Sequence, residues 1–409
     1  MNLARGSDEG RNYLYVGFNQ DSTSLSVGTR SGLRLISFVS TDELKMITGC
    51  PNEEIFIAER CFSTSIVGYV SLSSPRKLCF LHVEKKKLVV DPRCYSNSIL
   101  AVKMNRKRII VVLEDIIYIH GGLAGEFMSD LHRIKPTPLN KNGLCALSPS
   151  EDSCLMAYPG GPKTGEVIIY DCLNLQDKMV INAHDNPLAA LAFDYDGHKI
   201  ATASEKGTIL RVHSVMDGNC LYEFRRSFTR CADIYSLSFG FNSPFLCASS
   251  NTETIHIFKL DNLPPDGSRV KDDVSSQSWI NYLGHASENY LPTNISKVFN
   301  QCRSFAYARL PLKNLETVCT ITAIDDKLRL LVASADGYLY IYDLNISEGG
   351  ECNLIRQHQL DEIPPNSPQE KRPAMSYAAA VRGIDRIAPV ASVGSGKESS
   401  PVSTPSDIV

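Results

Sequence analysis

The chain has 409 residues, with 42 Lys and Arg against 45 Asp and Glu for a formal charge of -3, and it is 43% hydrophobic. That near-neutral balance excludes whole-chain polyanion binding of the histone or ribosomal kind but leaves room for a local basic site. No run approaches the roughly 18 consecutive apolar residues that span a bilayer, and MNLARGSDEG at the N-terminus lacks the apolar core of a secretory signal. A membrane would therefore be met from the side. The 13 Cys include no CxxC pair. Cys145, Cys154, Cys247 and Cys319 sit in apolar runs and read as small buried hydrophobes of a reducing, cytoplasmic compartment.

Taken in chain order, one phrase recurs. It consists of an alternating strand, a polar turn, a second strand ending in small residues, a tight turn and a third strand. It is clear at 15–38 (YVGFNQDSTSLSVGTRSGLRLISF), weaker at 63–83, 98–121 and 144–171, and clear again at 188–214, 234–260 and 321–344. The turn glycines Gly165 and Gly207 are 42 residues apart, inside the four-strand blade period of about 40 to 45. Alternation without helical periodicity means all-β, and seven such units predict a seven-bladed β-propeller over 13–360.

Three segments fall outside the repeats. Residues 1–12 read as a flexible N-terminus. Residues 261–303 interrupt the sixth repeat between its third and fourth strands, and a connection of this length is usually functional or disordered. The insertion carries apolar residues at helical spacing, Trp279, Ile280 and Leu283 and then Ile295, Val298 and Phe299, a pattern suited to a bilayer interface or to folding back on the propeller. Residues 361–409 hold seven prolines and a single aromatic, Tyr377, which predicts a disordered tail.

No GxSxG, HExxH, P-loop or paired Cys/His metal spacing is present, so neither an enzyme nor a metal or other cofactor is expected. The chemistry that stands out is cationic. The fourth strand of repeat five reads LYEFRRSFTR, and adjacent residues on a strand project to opposite faces, so Arg225 and Arg226 each serve one of the grooves beside the blade. A guanidinium fork matches phosphate bidentately. The same charges would also serve as gatekeepers on an edge strand. A second cluster, Lys85 to Lys87 with Arg106 to Arg108, reads as a solvated face or as a docking surface for an acidic partner.

FRRS at 224–227 resembles the FRRG motif of the PROPPIN family, the WIPI-type WD-repeat proteins, and the likeness extends to NQDSTSLSVGT, SNSILAVKMNRKR, AHDNPLAALAFD, ATASEKGT, SSNTETIHIFKL, ADGYLYIYDL and GGECNLIRQHQL. Phe before the arginines is similar to the WIPI one/two branch. The resemblance implies a monomeric, non-enzymatic effector that binds phosphatidylinositol 3-phosphate and phosphatidylinositol 3,5-bisphosphate and recruits autophagy machinery. It would move from the cytoplasm to phagophore and endosomal membranes. The alternative is a soluble WD-repeat scaffold with weakened lipid binding.

Motif by motif, the resemblance implies a first headgroup pocket of His184, Thr202, Ser204, Gly207, Thr208, Arg211 and Arg225, and a second of Arg226, Ser250, Thr254 and His256. It makes Trp279, Ile280 and Leu283 the membrane-entering part of the blade-six loop. It also places a groove for a scaffold protein of the lipid-conjugation machinery at His82, Lys85 and Arg106, and nothing in it points to nucleic acid. Three departures stand out. Ser227 replaces the motif glycine, and a Cβ there would cost about 1 kcal/mol at positive φ or, close to the lipid, crowd the second pocket. Lys107 stands where the branch has Gln, and an extra residue falls between Lys85 and Tyr95.

Overall fold

The computed structural model describes residues 12–49, 52–227, 230–260, 303–311 and 314–363. Residues 1–11, Trp279, Ile280, Leu283 and the rest of 261–302, and the tail from 364 lie outside the described residues. Among those described, the strands form seven sheets, each built on a four-stranded antiparallel ladder. Blade one is Tyr13–Phe18, Ser24–Thr29, Gly32–Phe38 and Leu44–Gly49; blade five is Leu188–Phe193, Lys199–Ser204, Ile209–Ser214 and Cys220–Arg225. Blade six is Ile234–Phe239, Phe245–Ser250, Thr254–Lys259 and Ala306–Arg309; blade seven is Thr317–Ile324, Lys327–Ser334, Tyr338–Asp343 and Asn353–Gln359.

In blades five and six burial peaks in the second strand and is lowest toward the outer edge, which explains why the second strands read so clearly in sequence. Phe245–Ser250 is buried at every position, whereas Asn353–Gln359 is mostly exposed. A strand covered on both faces reads as a continuous apolar run, and a half-covered one alternates.

One apolar cluster fills each junction between neighbouring blades. Leu33 and Leu35 meet Ile55 and Val67 between blades one and two. Phe56 and Phe80 meet Val102 and Ile109 between two and three, and Ile110 meets Met156 between three and four. Ile169 meets Phe193 and Ile200 between four and five, Leu210 and Phe224 meet Leu246 and Phe258 between five and six, and Phe245 meets Leu330 between six and seven. The seventh cluster closes the ring: Leu331, Leu339 and Ile341 of blade seven pack on Val16, Leu25 and Val27 of blade one. Among the described residues no strand passes between blades seven and one, so closure there depends on this packing, with each buried Leu or Ile contributing about 1.5–3 kcal/mol.

Two details differ from the sequence reading. Blade two begins with Ile55–Arg60, ahead of the copy recognised at 63–83. Blade six gains a fifth strand, Gly350–Glu351, which reaches over from blade seven and pairs in parallel with Ala306–Arg309. The position of the insertion agrees with the reading. Thr254–Lys259 pairs directly with Ala306–Arg309, and the Lys259 ammonium lies 5.4 Å from the centre of the Phe305 ring, so the two chain ends that bound the insertion meet.

Candidate phosphate-binding grooves beside blade five

The outer strand of blade five ends at Arg225, and the Arg226 N–H extends its ladder by donating to Thr208 O at 2.9 Å. Phe224 faces blade six, stacked on Phe258 with ring centres 4.8 Å apart. Period-two alternation therefore turns Glu223 and Arg225 toward blade four and Arg226 toward blade six. The remaining contacts agree with that division.

In the groove between blades four and five, Thr202, Arg211 and Glu223 form one row across three strands. Arg211 Nε donates to Glu223 Oε2 at 2.8 Å, and its Nη1 donates to the Ala183 carbonyl of blade four at 2.6 Å. Beside Ala183, His184 Nε2 lies 2.9 Å from Thr202 Oγ1. Burial, with help from the Arg211 charge, pushes the His184 pKa down to about 4, so the ring is neutral at pH 7. Ser204 and Thr208 are buried and flank the turn above this row.

Gly207 lies in that turn at φ +61°, and a Cβ there would come within 1.8 Å of the Ala232 carbonyl, so the position admits only glycine. The resemblance groups Gly207 with the first pocket. Its carbonyl instead accepts from Arg226 Nε at 2.8 Å, which places it between the two grooves.

In the groove between blades five and six, the equivalent row is Ala248, His256 and Tyr307. His256 occupies the place that Arg211 holds one blade earlier, because Gly207 adds one residue to the blade-five turn. Among the described residues His256 Nδ1 has no hydrogen-bond partner. Burial, then the Arg226 charge, pushes its pKa down to about 4. Ser250 is fully buried and its hydroxyl lies 2.8 Å from Thr252 Oγ1, while Thr254 is half-buried and pairs across the sheet with Arg309. Arg309 escaped the sequence reading because its strand follows the insertion; its Nε lies 3.2 Å from Glu351 Oε1.

Ser227 is not among the non-glycine residues at positive φ, so its backbone suits an L-residue, and its Oγ accepts the Arg230 N–H at 3.1 Å. The conformational cost expected from replacing glycine does not arise.

The second basic cluster lies where blades two, three and four approach. Arg106 Nη1 donates to Glu151 Oε1 at 2.7 Å, and its guanidinium sits 4.8 Å from the centre of the Phe62 ring. The Glu151 hydrogen bond raises the Arg106 pKa further. The Lys85 N–H donates to His82 Nδ1 at 3.4 Å, and the exposed hairpin of the three lysines turns at Lys86, at φ +51°. Lys107 and Arg108 line an adjoining cavity of about 190 Å³.

Guanidinium groups set among hydroxyls and backbone N–H groups can neutralise and orient phosphate oxyanions, and the molecule is a seven-bladed propeller that carries such groups on both sides of blade five. The PROPPIN family model matches residues 13–361, and the chain belongs to that family. It is 49% identical over 367 residues to mouse WD repeat domain phosphoinositide-interacting protein 2, spanning 88% of this chain and 80% of that protein. It is 43% identical over 374 residues to human WD repeat domain phosphoinositide-interacting protein 1, spanning 89% and 82%. The solved complex of KlAtg21 with the coiled coil of AgAtg16 shares the fold, with TM-score 0.66 and 22% identity over 86% of this chain and 100% of that one.

Proposed function

We propose that this chain is a non-enzymatic phosphoinositide effector of autophagy. It binds phosphatidylinositol 3-phosphate and the 3,5-bisphosphate through the two grooves and recruits assembly machinery to phagophore and endosomal membranes. What supports this reading is the adjacency of Arg225 and Arg226 at the end of the blade-five outer strand, where alternation turns them to opposite faces, with the His184–Thr202 pair beside one groove and the Arg226–Gly207 contact beside the other. The names of the two mammalian relatives support it, since both are called phosphoinositide-interacting. In the first groove His184, Thr202, Ser204, Thr208, Arg211 and Arg225 receive a headgroup. In the second, Arg226, Ser250, Thr254 and His256 do, with the Gly207 backbone between them. Trp279, Ile280 and Leu283 supply the apolar contact that headgroup binding alone lacks.

His82, Lys85 and Arg106 form the docking surface for an acidic segment of a conjugation-machinery scaffold. The fold-level neighbour named as a complex with a coiled coil favours a partner of that shape. Flotation with vesicles containing or lacking each lipid tests the central reading. Co-flotation only with the phosphorylated lipids is expected, and equal behaviour on plain vesicles would sink it.

A further inference from the structure

The segment that separates the two grooves carries a hydroxyl in an unusual setting. Arg225, Arg226 and Arg230 surround Ser227, and no acidic residue occurs in 224–232. The Arg226 guanidinium donates through Nη2 to the Arg230 carbonyl at 3.0 Å, and the Arg230 N–H donates to Ser227 Oγ at 3.1 Å. The hydroxyl and the guanidinium are thus held against the backbone of one residue. Ser227 is half-buried, and its oxygen serves as an acceptor in its recorded contact, so the hydroxyl proton is not committed there.

We propose that Ser227 is a phosphorylation site and that its phosphate is an internal competitor for the second groove. This rests on the lipid reading above. The chemistry is transfer of the γ-phosphoryl of ATP to Ser227 Oγ by a serine kinase that selects arginine at the two preceding positions. The new bond is O–P, the hydroxyl proton is released, and ADP leaves. The product brings close to two negative charges and three acceptor oxygens to a place where Arg226 and the Arg230 N–H already converge. Arg226 is then occupied from within its own chain. A tethered anion competes at an effective concentration of about millimolar, which a headgroup in solution does not match. A glycine at this position has no such control, so the substitution that separates this chain from the FRRG motif adds a switch. The first groove keeps Arg225 and Arg211, and the loss falls on the second groove and on the gain from binding two headgroups at once.

The test uses the full chain on vesicles of phosphatidylcholine with and without phosphatidylinositol 3-phosphate. Purified protein is treated with ATP and an arginine-directed serine kinase, the modified residue is mapped by mass spectrometry, and flotation is measured before and after phosphatase treatment. Label at Ser227 and about tenfold weaker flotation that phosphatase restores are expected. Ser227→Glu should bind several-fold more weakly than Ser227→Gln, which has the same bulk without charge. Failure of the kinase to modify Ser227, or phosphorylated protein that floats like the untreated chain, overturns the proposal. Equal binding by the Glu and Gln variants also overturns it. Arg226→Ala separates the two levels: if that variant floats normally the second groove takes no headgroup and that part of the lipid reading has failed, and if it is impaired while phosphorylated protein is not, only the switch has failed.

Discussion

The grooves on either side of blade five are built from the same row of the same repeat, yet they hold charge differently. Toward blade four the row carries Arg211, already paired with Glu223 and braced on the Ala183 carbonyl, next to a histidine that shares a hydrogen bond with Thr202. Toward blade six the row carries His256, whose Nδ1 has no partner among the described residues, and the cation arrives from outside the row as Arg226, which donates to the Gly207 and Arg230 carbonyls. The first groove is thus preorganised but partly self-neutralised. The second is less braced but keeps its positive charge. A repeat therefore fixes where a site can lie, while the individual cross-strand partners decide how strongly it attracts an anion.

The largest effect is expected when both grooves lose their cations. Arg225→Ala with Arg226→Ala should abolish flotation on 3-phosphate vesicles. The thermal transition should fall modestly, since Arg226 gives up its hydrogen bonds to the Gly207 and Arg230 carbonyls, worth about 0.5–1.5 kcal/mol each. Intact binding by that double variant would end the two-groove comparison altogether. Next in size is a control on a different surface: Arg106→Glu faces Glu151 with a like charge and should eliminate capture of an acidic coiled-coil peptide while flotation is unchanged. Parallel loss of both activities would mean that the blades share one surface or that the ring is damaged.

Glu223 gives a finer probe of the first groove. Glu223→Gln removes the charge that neutralises Arg211 while leaving an oxygen to accept from Nε. Flotation should tighten several-fold at low salt, and the gain should shrink as ionic strength rises and the Debye length falls below about 8 Å. A gain that persists at high salt would point to altered packing in place of charge.

Much of this was legible in the chain, and the parts that were not share a cause. The seven repeats, the insertion point in blade six and the buried Cys145, Cys154, Cys247 and Cys319 follow from alternation and turn chemistry, which are local. The first strand of blade two was missed because it ends in Glu59 and Arg60, charges that break an apolar run. Both are buried: Glu59 is satisfied from blade one by Tyr15 and Gln20, and Arg60 by Ser24 of blade one together with the carbonyls of Ser63 and Thr64 in its own turn. The Arg211–Glu223 pair is hidden for a similar reason: it depends on register, and Gly207 shifts the register of that hairpin by one residue relative to blade six. The partners of Arg106 and Arg309 lie in neighbouring blades, and no local pattern announces them.

The smallest effect concerns protons, and it sharpens the contrast between the two histidines. The ordinary histidine pKa is about 6.5, and burial with a neighbouring arginine lowers both His184 and His256 to about 4. In the folded protein both are neutral at pH 7 and stay so to near pH 5. The unfolded chain takes up protons first as pH falls through 6.5, so the stability these residues carry is full above that value and is lost progressively toward pH 4. Binding has the opposite sign. A phosphate placed beside His256 stabilises its charged form and raises its pKa, so the complex takes up a proton and binding tightens as pH falls from 7 to 5.5. His184 is braced against Thr202 and sits beside an arginine already paired with an acid, so it should contribute less. The phosphomonoester also titrates, with a second pKa of about 6, so the comparison is between variants: flotation from pH 7 to 5.5 should tighten about two- to threefold more for the native chain and for His184→Asn than for His256→Asn. An identical pH response in His256→Asn and the native chain would move the titrating protein group out of the second groove and remove the asymmetry between the two sites.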